Sequence, residues 1–194
     1  GPNAAFVAMH ADLAVAFPQE LRLRLVDATR LATRAENDGG ARLVMLGAEP
    51  TRNETGFGYA IPGEALDVDA GAAEVSGGAR VAARRVLRFT EKPGPLLAEQ
   101  LVEQGAFWHT GMLVCTAGHA LDALARHTPE LEMGMPALAA GKLDRFSGLI
   151  QSISIERGLL ERTRDLVVLP VDCGWDDVGT WSALRRVREL DDTG

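Results

Sequence analysis

AAFVAMHADLAVAFPQELRLRLVDATRLATRAENDGGARLVMLG, residues 4–47, is the stretch from which the fold class can be read. Two apolar runs, 4–9 and 42–47, bracket a segment in which Leu21, Leu25, Ala28, Leu31, Ala32 and Ala35 recur at helical spacing. Pro18 stands where a first helical turn accepts proline without losing a hydrogen bond, and Gly39-Gly40 supplies a stop. The two flanking runs are continuous rather than alternating, so a strand, helix, strand order points to a parallel sheet covered on both faces. The expected class is therefore α/β, a Rossmann-like, mostly parallel sheet flanked by helices.

Working outward, residues 49–78 are rich in Gly, Pro, Thr and Asp, with short apolar pieces at 57–61 and 65–68 that suit small antiparallel strands. Residues 80–89 read as a strand that ends at Glu91-Lys92-Pro93, because proline cannot continue a ladder. A helix over 96–104 is closed by Gly105, a buried strand follows at 108–116, and helical spacing resumes at 119–126. Further helices are expected over 129–140 and, capped by Ser154, over 154–164. Residues 166–172 make a last strand, 174–179 a loop, and Thr180 caps a helix reaching about Leu190.

The 194 residues suit a single domain at a prior of about 150 per domain. Acidic residues number 27 against 20 basic ones, a formal charge of -7 and the wrong sign for a chain that tracks a nucleic-acid backbone. No apolar run approaches the roughly eighteen residues of a membrane span, and no cationic leader opens the chain. The chain thus reads as soluble and cytoplasmic, with neither nucleic acid nor membrane as partner. Cys115 and Cys173 are too few for a disulfide framework or a zinc set, and read as reduced, buried thiols. A dinucleotide fingerprint fails at Ile61, and a P-loop fails at Leu143 after Gly141-Lys142. No Gly-x-Ser-x-Gly elbow exists, and His10, His109, His119 and His127 lack zinc spacing. A core-strand pattern that begins almost at the first residue makes us expect a piece of a longer protein.

Several residues stand out against this background. Asp12 leaves a strand at the edge where α/β sheets bind ligands, and either holds a hard cation or caps a turn. Asp172, Asp176 and Asp177 crowd the loop after the last strand, either clamping a cation with phosphate oxygens or complementing the dipole of the final helix. Glu91-Lys92 pairs an acceptor with a cation at a strand end, as a sugar-phosphate contact or as a solvated surface pair. The glycine-interrupted stretch Thr55-Gly56-Phe57-Gly58-Tyr59 suits close approach of a ligand or a bulge. Trp108-His109-Thr110-Gly111-Met112 puts polar residues inside a core strand, as a site or as satisfied interior groups.

In their order these segments resemble the sugar-phosphate nucleotidyltransferases, and among them the mannose-1-phosphate guanylyltransferases. His10-Ala11-Asp12 looks like the family's acid at a strand end, Thr55 to Tyr59 like its Thr-Gly-Tyr-Gly-Tyr, and Phe89 with Glu91-Lys92-Pro93 like its Phe-x-Glu-Lys-Pro. Trp108 to Met112 is similar to Trp-Asn-Ser-Gly-Met. Ser154 to Glu161 is similar to Ser-Ile-Asp-Tyr-x-x-x-Glu, and Gly174 to Trp181 to Gly-Trp-Ser-Asp-Val-Gly-Thr-Trp.

The resemblance implies the nucleotide-diphospho-sugar transferase fold, with a small antiparallel sugar-binding subregion beside the main sheet. It implies Asp12 and Asp177 as holders of a catalytic Mg²⁺, with Lys92 on the sugar phosphate. Gly58, Tyr59, Glu91, His109, Thr110 and Glu156 would contact the sugar. The reaction implied is nucleotidyl transfer from a nucleoside triphosphate, GTP, to mannose 1-phosphate, giving GDP-mannose and pyrophosphate. A thymidylyl or uridylyl transferase of glucose 1-phosphate, or a non-catalytic sugar-phosphate-binding protein, are the alternatives. His109 replaces the family's asparagine, Glu156 its aspartate and Arg157 its tyrosine, each changing the size or charge of the pocket. The family's glycine-rich loop, Gly-Gly-x-Gly-x-Arg-Leu, has no counterpart. Residues 1–194 are therefore expected to be the C-terminal portion of a single catalytic domain, inactive alone and inclined to pair with itself or with a separate N-terminal segment.

Overall fold

A computed structural model describes residues 1–34, 43–66 and 82–187. The first strand, β1 (Ala5–Met9), leads through a short β2 (Leu13–Val15) into helix α1 (Pro18–Arg34) and strand β3 (Leu43–Ala48). An antiparallel pair follows, β4 (Gly58–Ala65) and β5 (Arg84–Glu91), then α2 (Pro95–Glu103), the long strand β6 (Phe107–Thr116) and α3 (Ala117–His127). Short helices α4 (Met135–Ala139) and α5 (Leu143–Leu149) precede β7 (Leu166–Pro170), β8 (Trp175–Asp177) and α6 (Trp181–Val187).

Six strands form one sheet in the order β1-β6-β3-β7-β5-β4, and a contact between β4 and the start of β6 links its far end back to its middle. The class is α/β and the sheet is mixed. β3 and β7 pair in parallel, whereas β6 runs antiparallel to β1, β3 and β4, and β5 antiparallel to β4 and β7. Four strands therefore share one direction, but β6, inserted between β1 and β3, keeps those two from meeting.

Strand periodicity explains why β3, β6 and β7 are buried along nearly their whole length: alternate residues serve opposite layers. Val44, Leu46, Met112, Val114, Val167 and Leu169 pack with Ala28, Leu31 and Ala32 of α1. Their neighbours Leu43, Met45, Leu113, Cys115, Leu166 and Val168 pack with Ala123 of α3 and with Leu159 and Leu160. A third cluster sets Ala98 and Leu101 of α2 against Tyr59 and Trp108. Each such leucine, fully buried, contributes about 1.5–3 kcal/mol of transfer free energy.

The structure departs from the sequence reading in four places. β1 is an edge strand rather than a buried one, with Phe6 41% and Met9 52% exposed. Residues 129–140 do not form one helix: a 3-10 turn (Pro129–Leu131) is separated from α4, which carries Pro136 in its first turn and starts after Gly134. Residues 154–164 hold one wide turn (Glu156–Leu160), closed by the Glu161 N–H on the Glu156 carbonyl at 2.9 Å. The adjacent Leu159 and Leu160 at the end of that turn both enter the core. Finally, 174–179 is not all loop, because β8 pairs antiparallel with β2. The expected stop at Gly39-Gly40, the strand ends at 67–68 and 80–81, and the end of the last helix lie outside the described residues.

Candidate active site

Several strand ends and loops converge on one cleft of ≈ 380 Å³, open solvent included, lined by His10, Gly58, Glu91, Lys92, His109, Glu156, Trp175 and Asp177, with Gly56, Phe57 and Gly111. His10 follows β1, its N–H on the Gly111 carbonyl at 3.1 Å. Gly58 pairs with Glu91 across β4 and β5. A Cβ at Gly58 would stand 2.5 Å from Phe89 and 2.8 Å from Glu91 Oε2, so glycine is what lets that carboxylate lie against the strand. Glu156 enters from the wide turn, where its backbone begins the five-residue loop of hydrogen bonding.

The charges are unevenly solvated. Lys92 is well exposed and its Nζ lies 3.2 Å from Glu91 Oε1, while the Glu91 side chain is only 8% exposed. Burial pushes the Glu91 carboxyl above its ordinary range, against the pull of Lys92. His109 is buried, and desolvation pushes it down to about 4 despite Glu156 nearby, so its ring is neutral at pH 7. Burial also works against the Glu156 carboxylate. Its own backbone N–H, Ser154 and the two histidines outweigh that and hold it below the usual range. Its Oε1 stands 3.5 Å from His10 Nε2 and 4.0 Å from His109 Nε2.

Asp12 lies just beyond the cleft wall, beside Asp177. The Asp12 carbonyl accepts the Val178 N–H at 2.9 Å, and Leu13 pairs with Asp177 in the β2–β8 ribbon. Gly179 sits between the two carboxylates, since a Cβ there would meet Asp177 Oδ1 at 2.9 Å and Asp12 Oδ2 at 3.2 Å. Two carboxylates reaching the same small space form an all-oxygen donor pair. That suits Mg²⁺, which takes one or two protein carboxylates and completes its shell with water and phosphate oxygens. Among the described residues no group of three or more His, Cys, Asp or Glu side chains is arranged around a single metal position.

Two expected sugar contacts lie elsewhere. Tyr59 and Thr110 are fully buried. The Tyr59 hydroxyl donates to the Glu54 carbonyl at 2.7 Å and accepts the Glu54 N–H at 3.0 Å, and the Thr110 hydroxyl donates to the Leu46 carbonyl at 2.9 Å. Both hydroxyls thus brace the walls rather than line them.

Sequence reasoning assigned no role to His10 or Trp175, both on the cleft. It also missed a charged brace behind it. Arg186 grips Asp176 through two nitrogens at 2.6 and 2.8 Å, and Arg52 approaches the same carboxylate at 3.7 Å. Arg52 also bonds Glu54 at 3.2 Å and lies over the Trp108 ring at 4.9 Å, whose neighbours Phe57 and Trp175 pack edge to face at 5.2 Å. Asp176 is held well ionised, chiefly by the Arg186 hydrogen bonds. The only signal for Arg52 was its place in the polar loop after β3, two residues before Glu54.

The ends of strands in a mixed α/β sheet thus gather one lysine and two largely buried carboxylates in one cleft, with an acid pair beside it. The chain belongs to the Nucleotidyl transferase family, whose match runs over residues 3–193. It is 34% identical over 177 residues to the xanthan biosynthesis protein XanB of Xanthomonas campestris pv. campestris, covering 86% of this chain and 34% of that protein. It is 34% identical over 187 residues to the mannose-1-phosphate guanylyltransferase ManC of Salmonella typhimurium, covering 91% and 36%. The chain thus spans about a third of the length of the curated relatives it matches. Among solved structures, a mannose-1-phosphate geranyltransferase from Thermus thermophilus superposes with a TM-score of 0.76 at 28% identity, covering 96% of this chain and half of that one, 50%. A mannose-6-phosphate isomerase from Helicobacter pylori shares the fold, with a TM-score of 0.71 at 20% identity, covering 91% and 65%.

Proposed function

We propose that the cleft binds a sugar 1-phosphate and serves the transfer of a guanylyl group from GTP to mannose 1-phosphate, giving GDP-mannose and pyrophosphate. The observation that carries this reading is the convergence of Glu91, Lys92, His109, Glu156 and Asp177, from distant parts of the chain, on one cleft. Relatives named as mannose-1-phosphate guanylyltransferases support the choice of sugar and base.

In that reaction a phosphate oxygen of the sugar phosphate attacks the α-phosphorus of the triphosphate. The bond from the α-phosphorus to the bridging oxygen breaks, and pyrophosphate leaves with the electron pair. No protein nucleophile is needed, so the protein acts by positioning and by charge. Lys92, well exposed at the mouth, neutralises the sugar phosphate. Glu91 and Glu156 accept hydrogen bonds from sugar hydroxyls, and neutral His109 packs beside them without adding a repelling charge to either substrate. Asp12 and Asp177 are the residues that would hold Mg²⁺, which when bound supplies positive charge against the phosphates. Two buried free thiols, Cys115 and Cys173, accord with a reducing, cytoplasmic setting. No helix among the described residues is long and apolar enough to cross a membrane.

The test is calorimetric titration of mannose 1-phosphate with Mg²⁺, beside a pyrophosphate-release assay with GTP, both on the full-length enzyme that contains these residues. Lys92→Ala should weaken both by about a hundredfold, the worth of a lost charge-assisted phosphate contact, whereas Lys142→Ala, just before α5, should match the wild type. Equal behaviour of the two variants removes Lys92 from the site. A preference for glucose 1-phosphate with UTP or dTTP transfers the reading to a sister reaction.

A further inference from the structure

We propose that Glu161 is a positioning residue whose carboxylate sets the backbone from which Lys92 reaches the phosphate; this rests on the reading of Lys92 given above. Among the described non-glycine residues Lys92 alone has a left-handed backbone, with φ 48°. Such a residue persists only where its surroundings fix it. Two hydrogen bonds do so at consecutive amides. The Glu91 N–H donates to Glu161 Oε1 at 2.8 Å, and the Lys92 N–H donates to the Phe57 carbonyl at 3.2 Å. Pro93 biases the residue before it toward extended backbone, so the two hydrogen bonds hold Lys92 against that preference.

Glu161 is 70 positions away in sequence from Glu91 and is no part of the cleft wall. Its place follows from the wide turn, which presents Glu156 to the cleft and, five residues on, Glu161 to the end of β5. One turn thus serves ligand contact at one end and lysine placement at the other. An exposed carboxylate has water as an alternative partner, so a bond held to a strand-end amide gains its consequence from what that amide leads into: the strained lysine.

Four proteins test this: Glu161→Ala and Glu161→Gln, each made in the wild type and in Lys92→Ala. In ligand-free ¹H–¹⁵N spectra, Glu161→Ala should shift the Glu91 and Lys92 amide signals, while Glu161→Gln, which keeps a carbonyl acceptor, should hold them near their original positions. In ligand assays, Glu161→Ala should raise the KM for mannose 1-phosphate about tenfold with a smaller change in kcat, and Glu161→Gln should restore most of it. In the Lys92→Ala background the same substitution should have almost no further effect, because its route of action is gone. An equal loss in both backgrounds, or unmoved Lys92 signals in Glu161→Ala, overturns the proposal. Failure of the wild type to bind mannose 1-phosphate would overturn the functional reading instead, and the ligand-free spectra would still decide the role of Glu161.

Discussion

Gly179→Ala separates the proposed cation site from the fold. The new methyl would stand 2.9 Å from Asp177 Oδ1 and 3.2 Å from Asp12 Oδ2, where ordinary contact begins at 3.4 Å. Gly179 is not among the glycines with a left-handed backbone, so alanine meets no torsional penalty. The atoms it meets are the tips of two side chains rather than packed interior, one of which, Asp177 Oδ1, accepts the Gly179 N–H at 2.7 Å. Overpacking should therefore cost about 1 kcal/mol or less, a fall in Tm of about 4 °C at most. The carboxylates must instead give by a few tenths of an ångström, in opposite senses. Magnesium holds its ligands at about 2.0–2.1 Å in a nearly ideal octahedron and does not follow such a displacement. The Mg²⁺ concentration for half-maximal pyrophosphate release should rise by about ten- to a hundredfold. Manganese binding followed by electron paramagnetic resonance gives a readout free of turnover. An unchanged metal dependence at an unchanged Tm would refute the sharing of one cation by Asp12 and Asp177.

Three further outcomes follow from the electrostatics and the exposed surface. His109 is held at about 4 in the folded state against 6.5 in the unfolded chain, so the unfolded form takes up the extra proton as pH falls between those values. Roughly 3 kcal/mol of stability should be lost over that window, and urea denaturation at pH 7 and pH 4.5 should show a steeper loss for the wild type than for His109→Gln. Glu91 runs the other way: its folded-state carboxyl is raised, so its contribution is fullest at acid pH and is lost as pH rises. Glu91→Gln should accordingly raise Tm at pH 7 while weakening mannose 1-phosphate, an advantage that shrinks toward pH 4.5; a lower Tm at pH 7 would contradict the cost assigned to its burial. Phe6 and Met9, 41% and 52% exposed, lie on the β1 edge strand. Phe6→Lys with Met9→Glu should reduce binding of a hydrophobic dye and any self-association seen by ultracentrifugation, and an unaltered signal would place the sticky surface elsewhere.

The elements that could be read in advance are those whose neighbours confirm one another. Val44 and Leu46 alternate with Leu43 and Met45, and the same parity in β6 and β7 announces a sheet covered on both faces. β2 and β8 escaped because three residues carry no period, and each is a strand only by virtue of a partner at the other end of the chain. Parity also explains the misplaced site residues. Adjacent side chains of a strand point to opposite faces, so Thr110 turns away from the cleft that His109 lines and bonds the Leu46 carbonyl instead, while Tyr59, next to Gly58, turns into the core. The motif spacing drew attention to each pair, and only the alternation decides between their members. Arg52 and Arg186, and the part they give Asp176, were invisible for another reason: Asp176 stood out only as a cation clamp or a dipole partner, and its pairing lies in a three-way contact among segments that no local pattern connects.

The β2–β8 ribbon has a kinetic meaning as well. Asp12 and Leu13 are synthesised well before Asp177, so a chain elongating at about 5–20 residues per second carries half of the acid pair for many seconds before the other half exists. The closure joining them runs from residue 13 to residue 177, and its entropy must be met before the two strands can pair. At the proposed Asp12–Asp177 site, a partly folded form that lacks β8 would therefore have only one of the two carboxylates to offer an ion. Metal affinity there would report on completed folding, and an ion that selected the native state would add to its stability by mass action rather than guide the chain toward it.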